Sequence, residues 1–105
     1  MVQFKSIDAD TAKKWLDADE ALLVDVREPE EYAVCHIPGA TLIPLGGIDV
    51  SKLPQLDHKK LIIQCQLGKR GGMACEKLLA VAPHLEVYNL EGGIVAWQRA
   101  GFEVS

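Results

Sequence analysis

Leu61-Ile62-Ile63-Gln64-Cys65-Gln66-Leu67-Gly68-Lys69-Arg70-Gly71-Gly72 passes through three patterns in succession. Leu61 to Gln64 is a short apolar run of the kind expected for a strand buried in a parallel sheet. Gln66 to Arg70 reads as a loop, with one glycine and two adjacent cations. A helix then runs to about Ala82, with Ala74, Cys75, Leu78, Leu79 and Ala82 forming an i, i+3, i+4 apolar stripe. A buried strand that feeds a helix is the building unit of α/β folds.

The same alternation extends outward in both directions. Upstream, Asp8 is placed to cap a helix from Ala9 to about Asp17, with Ala12, Trp15 and Leu16 on one face. Ala21 to Val26 reads as another buried strand. Pro29 stands where the first turn of a helix tolerates it, and Glu30 and Glu31 favour the positive helix end. Ile37-Pro38-Gly39-Ala40 breaks that helix, and Thr41 to Ile43 reads as a strand that Pro44 ends. Gly46 to His58 is mixed, with room for one short helix among loops. Downstream, Leu85 to Asn89 reads as the last strand. Gly92-Gly93 opens a final helix through Trp97 to Ala100, with Gly101 as its cap. The pattern predicts an α/β layer fold around a mostly parallel sheet.

Length and composition bound the rest. The chain has 105 residues, the size of a single domain, so residues 1–105 are expected to form one unit. Hydrophobic residues make up 49% and charged residues 25%, an ordinary globular balance. With a formal net charge of -4 and no extended basic tract, no electrostatic footprint for nucleic acid is present. No apolar run approaches the length of a membrane span, and the N-terminus has no apolar signal core. A cytoplasmic location is the resulting expectation. Three cysteines at irregular spacings, with no C-x-x-C pair and no zinc-type cluster, imply free thiols in a reducing compartment and no metal site.

Reactive crevices of parallel sheets lie beyond the carboxyl ends of the strands. Two such turns are chemically rich here: Cys65 to Gly72, and Asp25-Val26-Arg27-Glu28. A cysteine between a buried strand and a helix start can be ringed by backbone N–H groups. The helix N-terminus, Lys69 and Arg70 add positive potential, and all three effects favour thiolate over thiol. Gly68 supplies the backbone freedom for a tight curl. The plain alternative is a small buried cysteine at a strand end; the adjacent cations and the glycine argue against it.

At these residues the sequence resembles the rhodanese superfamily. The active loop of that family has cysteine, two variable residues, glycine, one variable residue and arginine; Cys65-Gln66-Leu67-Gly68-Lys69-Arg70 matches it. Asp25-Val26-Arg27-Glu28-Pro29-Glu30-Glu31-Tyr32, His36-Ile37-Pro38-Gly39-Ala40 and Glu91-Gly92-Gly93-Ile94-Val95-Ala96-Trp97 match three further motifs, in the family's order across almost the whole chain. The resemblance implies a three-layer fold with about five strands and helices on both faces. It implies a sulfurtransferase that carries sulfur as a persulfide on Cys65. Gln66, Leu67, Gly68, Lys69, Arg70 and Arg27 are the residues it offers for substrate binding. The implied partners are a small anionic donor such as thiosulfate and a thiophilic acceptor: cyanide in an assay, a thiol or protein in the cell. No metal or organic cofactor is implied. Two departures stand out. Cys35 replaces the usual glycine before His36, and Gly71 replaces the usual serine or threonine after Arg70. The missing hydroxyl should cost about 1 kcal/mol on typical cap figures. The resemblance also leaves two other readings. One is a non-catalytic or sulfur-relay interaction domain, although such domains often lose the cysteine kept here. The other is a phosphatase on the same fold, although those loops place five residues between cysteine and arginine where this one has Gln66 to Lys69.

Other residues carry paired readings. Arg27 is able to bind an anion beside Cys65, or to form an ion pair with Glu30, Glu31 or Glu91 that ties loops together; Asp25 is expected to fix loop backbone. His36 invites a Cys–His dyad. It precedes a strand whereas Cys65 follows one, which predicts opposite sheet edges and a structural hydrogen-bonding role for His36. The same topology predicts that Cys35 is remote from Cys65, and the helical stripe predicts that Cys75 is an inert core thiol. His58 and His84 read as solvated surface, Trp15 and Trp97 as core.

Overall fold

A computed structural model describes residues 4–105. Five strands form one parallel sheet in the order β1-β5-β4-β2-β3: β1 (Lys5–Ile7), β2 (Ala21–Asp25), β3 (Thr41–Leu42), β4 (Lys60–Gln64) and β5 (Val87–Leu90). Four helices cover it: α1 (Ala9–Asp17), α2 (Pro29–Val34), α3 (Lys69–Val81) and α4 (Gly93–Arg99). Two 3-10 turns, Leu45–Gly47 and Val50–Lys52, occupy the stretch that reads as mixed.

Strand alternation divides the core into two layers. Leu61, Ile63, Val24, Val26 and Val87 face α3, meeting Ala74, Cys75, Leu78 and Leu79. Ile62, Leu23, Ala21 and Leu90 face the other way, meeting Ala9, Ala12, Ile94 and Trp97 of α1 and α4. The three-layer expectation therefore holds, and the predicted stripe of α3 is the stripe that is buried. Asp8 caps α1 as expected, its carboxylate accepting the Thr11 N–H at 2.8 Å. Gly101 follows α4 with φ +86°, a left-handed conformation that glycine adopts without cost.

Two expectations are corrected. The edge strand β1 has no signal in the sequence: it has three residues, and Lys5 and Ser6 are exposed, so no apolar run announces it. Its pairing with Tyr88, Asn89 and Leu90 is set by the neighbouring strand. The strand expected at Thr41 to Ile43 is only two residues long, registered against Val24 and Asp25 at the carboxyl end of β2. The segment before it runs from Cys35, whose carbonyl accepts from Arg27, to Ile37 and Pro38, which meet Leu16 and Asp17 at the end of α1.

Candidate active site

All the chemically rich turns leave the carboxyl edge of the sheet, after Asp25, Gln64 and Leu90. Cys65 follows β4 at the base of its loop and is 1% exposed. Its Sγ accepts the backbone N–H of Gly68 at 3.0 Å and of Gly71 at 3.2 Å. Such a curl needs a left-handed residue, and Gly68 has φ +106° as the N-cap of α3. The helix begins at Lys69, so Lys69 and Arg70 belong to its first turn rather than to the loop.

The loop is buttressed by the next one. Ile94 N–H donates to the Cys65 carbonyl at 2.8 Å, and Val95 N–H to the Gln66 carbonyl at 3.3 Å. A Cβ on Gly93 would stand 2.3 Å from the Cys65 oxygen, so only glycine allows the start of α4 to come this close. Asn89 adds a side-chain tie, its Nδ2 donating to the Gly68 carbonyl at 3.0 Å. In the sequence Gly92-Gly93 reads as a helix start and Asn89 as the end of a strand. Neither residue type announces that it holds a neighbouring loop.

Among the cations, Lys69 is exposed and makes no ion pair among the described residues. Arg70 turns to Glu31 of α2, with a two-pronged contact of 2.6 and 2.9 Å. That contact raises the Arg70 pKa and holds the Glu31 carboxyl at about 2. Arg27 is 1% exposed. Its guanidinium spans both Asp25 oxygens at 2.8 to 3.1 Å and reaches the Cys35 carbonyl at 2.8 Å. Burial pulls its pKa down, but the Asp25 hydrogen bond and charge outweigh it, and the net shift is upward. Of its two readings, the structure realises the ion pair, with Asp25 rather than Glu30, Glu31 or Glu91 as partner. Only a long 3.4 Å approach to Gln66 Oε1 connects it to the loop. Leu67 is 68% exposed at the loop surface.

Cys35 lies nearer the loop than the topology argument allowed. It ends α2, and with Arg27, Glu31, Val34 and Gln66 it lines a cleft of about 330 Å³ at the carboxyl edge. The physical reason is the shortness of α2, whose six residues end before the chain has crossed the sheet. His36 does not line that cleft: its backbone pairs with Ser105 in both directions, at 3.0 and 2.8 Å, and the expected structural role holds. Its Nδ1 lies 3.1 Å from the Tyr32 carbonyl and its ring stacks on Tyr32 at 3.9 Å. Cys75 is fully buried, and burial first, then the Cys65 and Glu76 charges, push its pKa up to about 12. His58 and His84 are exposed; Trp97 is buried and Trp15 half-buried against Tyr88. Among the described residues no cluster of three His, Cys, Asp or Glu side chains forms, and no helix is long and apolar enough to cross a membrane.

The rhodanese-like domain family model matches residues 8–100. A protein of Allochromatium vinosum named "Sulfurtransferase" is 36% identical over 101 residues, covering 93% of this chain and 92% of that one. "Uncharacterized protein slr1261" of Synechocystis is 37% identical over 91 residues, covering 87% of this chain; the match spans only half of that protein's length. A rhodanese-related protein of Thermoplasma volcanium, solved by crystallography, superposes with a TM-score of 0.82 at 28% identity, covering 97% of this chain and 98% of the other. A model match over most of the chain, a relative of equal length and the shared parallel sheet agree: the chain belongs to the rhodanese-like domain family.

Proposed function

We propose that the protein is a sulfurtransferase that carries sulfane sulfur on Cys65. The observation that carries this reading is the pair of N–H donors, Gly68 and Gly71, converging on one sulfur atom at the carboxyl edge. Sγ makes no other hydrogen bond among the described residues, and two backbone donors suit an atom that carries negative charge. No general base is needed if the thiol is already ionised. The Cys65 thiolate attacks the outer sulfur of a donor such as thiosulfate; the S–S bond of the donor breaks, sulfite leaves with its electron pair, and Cys65 becomes a persulfide anion. An acceptor then takes the terminal sulfur and the thiolate returns: cyanide in an assay, a thiol or a protein in a reducing compartment such as the cytoplasm. This is covalent catalysis in two displacements. The loop amides hold the anion in each state, as donors do in an oxyanion hole. Lys69, the exposed cation at the helix start, attracts the anionic donor, Gln66 and Leu67 form the rim, and neither metal nor organic cofactor takes part.

The direct experiment is intact mass after thiosulfate treatment. A gain of one sulfur on the peptide holding Cys65, absent from Cys65→Ser, is the expected result. Sulfur transfer to cyanide surviving in the serine variant would remove Cys65 from the mechanism.

A further inference from the structure

The geometry points to Asn89 as the positioning residue of the sulfur-holding loop, with Gly71 as the residue that makes room for it. Asn89 is on β5, across from the loop, and is 6% exposed. Its Nδ2 donates to the Gly68 carbonyl at 3.0 Å; a carbonyl needs a donor opposite it, which fixes the amide orientation. Its Oδ1 is buried with no hydrogen-bond partner among the described residues. That oxygen occupies the space a side chain at position 71 would require, since a Cβ built on Gly71 would stand 2.2 Å from it. One amide therefore touches both residues whose N–H groups hold the Cys65 sulfur, fastening Gly68 and abutting Gly71.

This changes the meaning of Gly71. Read from the sequence, glycine after Arg70 is a lost hydroxyl. In the structure its missing Cβ leaves the space that the Asn89 amide fills. A glycine in the first turns of a helix costs stability against alanine. Gly72 bears a similar restriction, since its Cβ would stand 2.8 Å from the Phe4 ring, but that contact does not touch the sulfur site. Asn89 and Gly71 are thus one unit, and a hydroxyl residue at 71 belongs with a smaller side chain at 89. Asn89 does not reach the sulfur itself; it acts through the two glycines.

The inference rests on Cys65 as the sulfur carrier, and the test separates the two. Four proteins are compared: wild type, Asn89→Ala, Gly71→Ser and the double variant. Two readouts are taken: sulfur loading from thiosulfate by mass, and the pH profile of Cys65 alkylation by iodoacetamide, which needs no sulfur transfer. Asn89→Ala only removes atoms and is expected to stay folded. Its sulfur loading should slow about tenfold, the scale of one buried hydrogen bond. Its alkylation profile should move to higher pH, because the amides no longer converge on the thiolate. Gly71→Ser should lose more than Asn89→Ala, and adding Asn89→Ala to it should restore at least tenfold. If Gly71→Ser alone does not fold, recovery of folded protein in the double variant supports the pairing, and its absence overturns it. Losses that simply add, or an unmoved pH profile in Asn89→Ala, overturn the inference even if sulfur loads normally. Wild type that fails to load sulfur while the pairing and the profile shift persist would sink the sulfurtransferase reading and leave the positioning role standing.

Discussion

The Arg27–Asp25 pair shows how burial decides what a charged residue does. Both side chains are almost wholly withdrawn from water, and the guanidinium satisfies its donors on Asp25 and on the Cys35 carbonyl. Removing one member leaves the other charge buried without its partner, a loss of about 3–5 kcal/mol. Arg27→Met should therefore lower stability by that amount, measured by urea unfolding. The double replacement Asp25→Leu/Arg27→Met should recover part of it. A loss under about 1 kcal/mol for the single variant would show that Asp25 is not held as a buried anion. Cys75 makes the opposite point: with its thiol pushed up to about 12 by burial, it is expected to remain unalkylated at pH 8 in the folded protein. Modification of Cys75 at a rate equal to that in urea would contradict its placement in the core.

Between elements, the ion pair of Glu31 and Arg70 ties α2 to the first turn of α3 beside the cleft. Glu31 is held near 2 against an ordinary 4.5, so folding favours its charged form. The stabilisation is complete above about pH 4.5 and fades as pH falls toward 2. Both side chains are about a third exposed, so solvent screening reduces the pair to roughly 1 kcal/mol. The stability difference between wild type and Glu31→Gln should be flat at neutral pH and shrink through that acid window. A difference unchanged from pH 6 to pH 2.5 would exclude the carboxylate as its source. Elements with a strong periodic pattern were legible from sequence: β2, β4, α1 and the stripe of α3 stand where alternation and capping put them. Those defined by their neighbours were not. The edge strand β1 is half-polar and takes its conformation from β5. The shortness of β3 depends on where the chain turns after Pro38. At the site, Cys65, Gly68, Lys69 and Arg70 stand together in the sequence, so one local motif marks them all. Asn89 and Gly93 act through contacts across the fold, and each has an ordinary local role that hides the long-range one, whereas Asp25 fixes loop backbone as expected, its carboxylate accepting the Arg27 N–H at 2.9 Å.

The layered architecture of the whole molecule bears on how an oxidised Cys65, or one loaded with sulfur as proposed, would be cleared. Cys65 packs into the cluster on the α3 side of the sheet, whereas Cys35 packs against the cluster on the α1 and α4 side. The two thiols share the carboxyl edge but belong to different layers. A disulfide needs Cα atoms within about 7 Å and converging Cβ directions, and thiols packed into different layers are not expected to provide that. Cys75 lies in the same layer as Cys65 but within the body of α3, buried and held as a neutral thiol, a poor nucleophile. Release of sulfur or oxidant from Cys65 is therefore expected to depend on an external thiol. After mild peroxide treatment at low protein concentration, non-reducing peptide mapping should show Cys65 free or linked to added small thiol. A dominant Cys65–Cys35 peptide would mean that the loop and the end of α2 approach each other in solution, and that the cleft between them closes over the sulfur. A dominant Cys65–Cys75 peptide would mean that the first turns of α3 unwind, and with them the glycine amides on which the proposed chemistry depends.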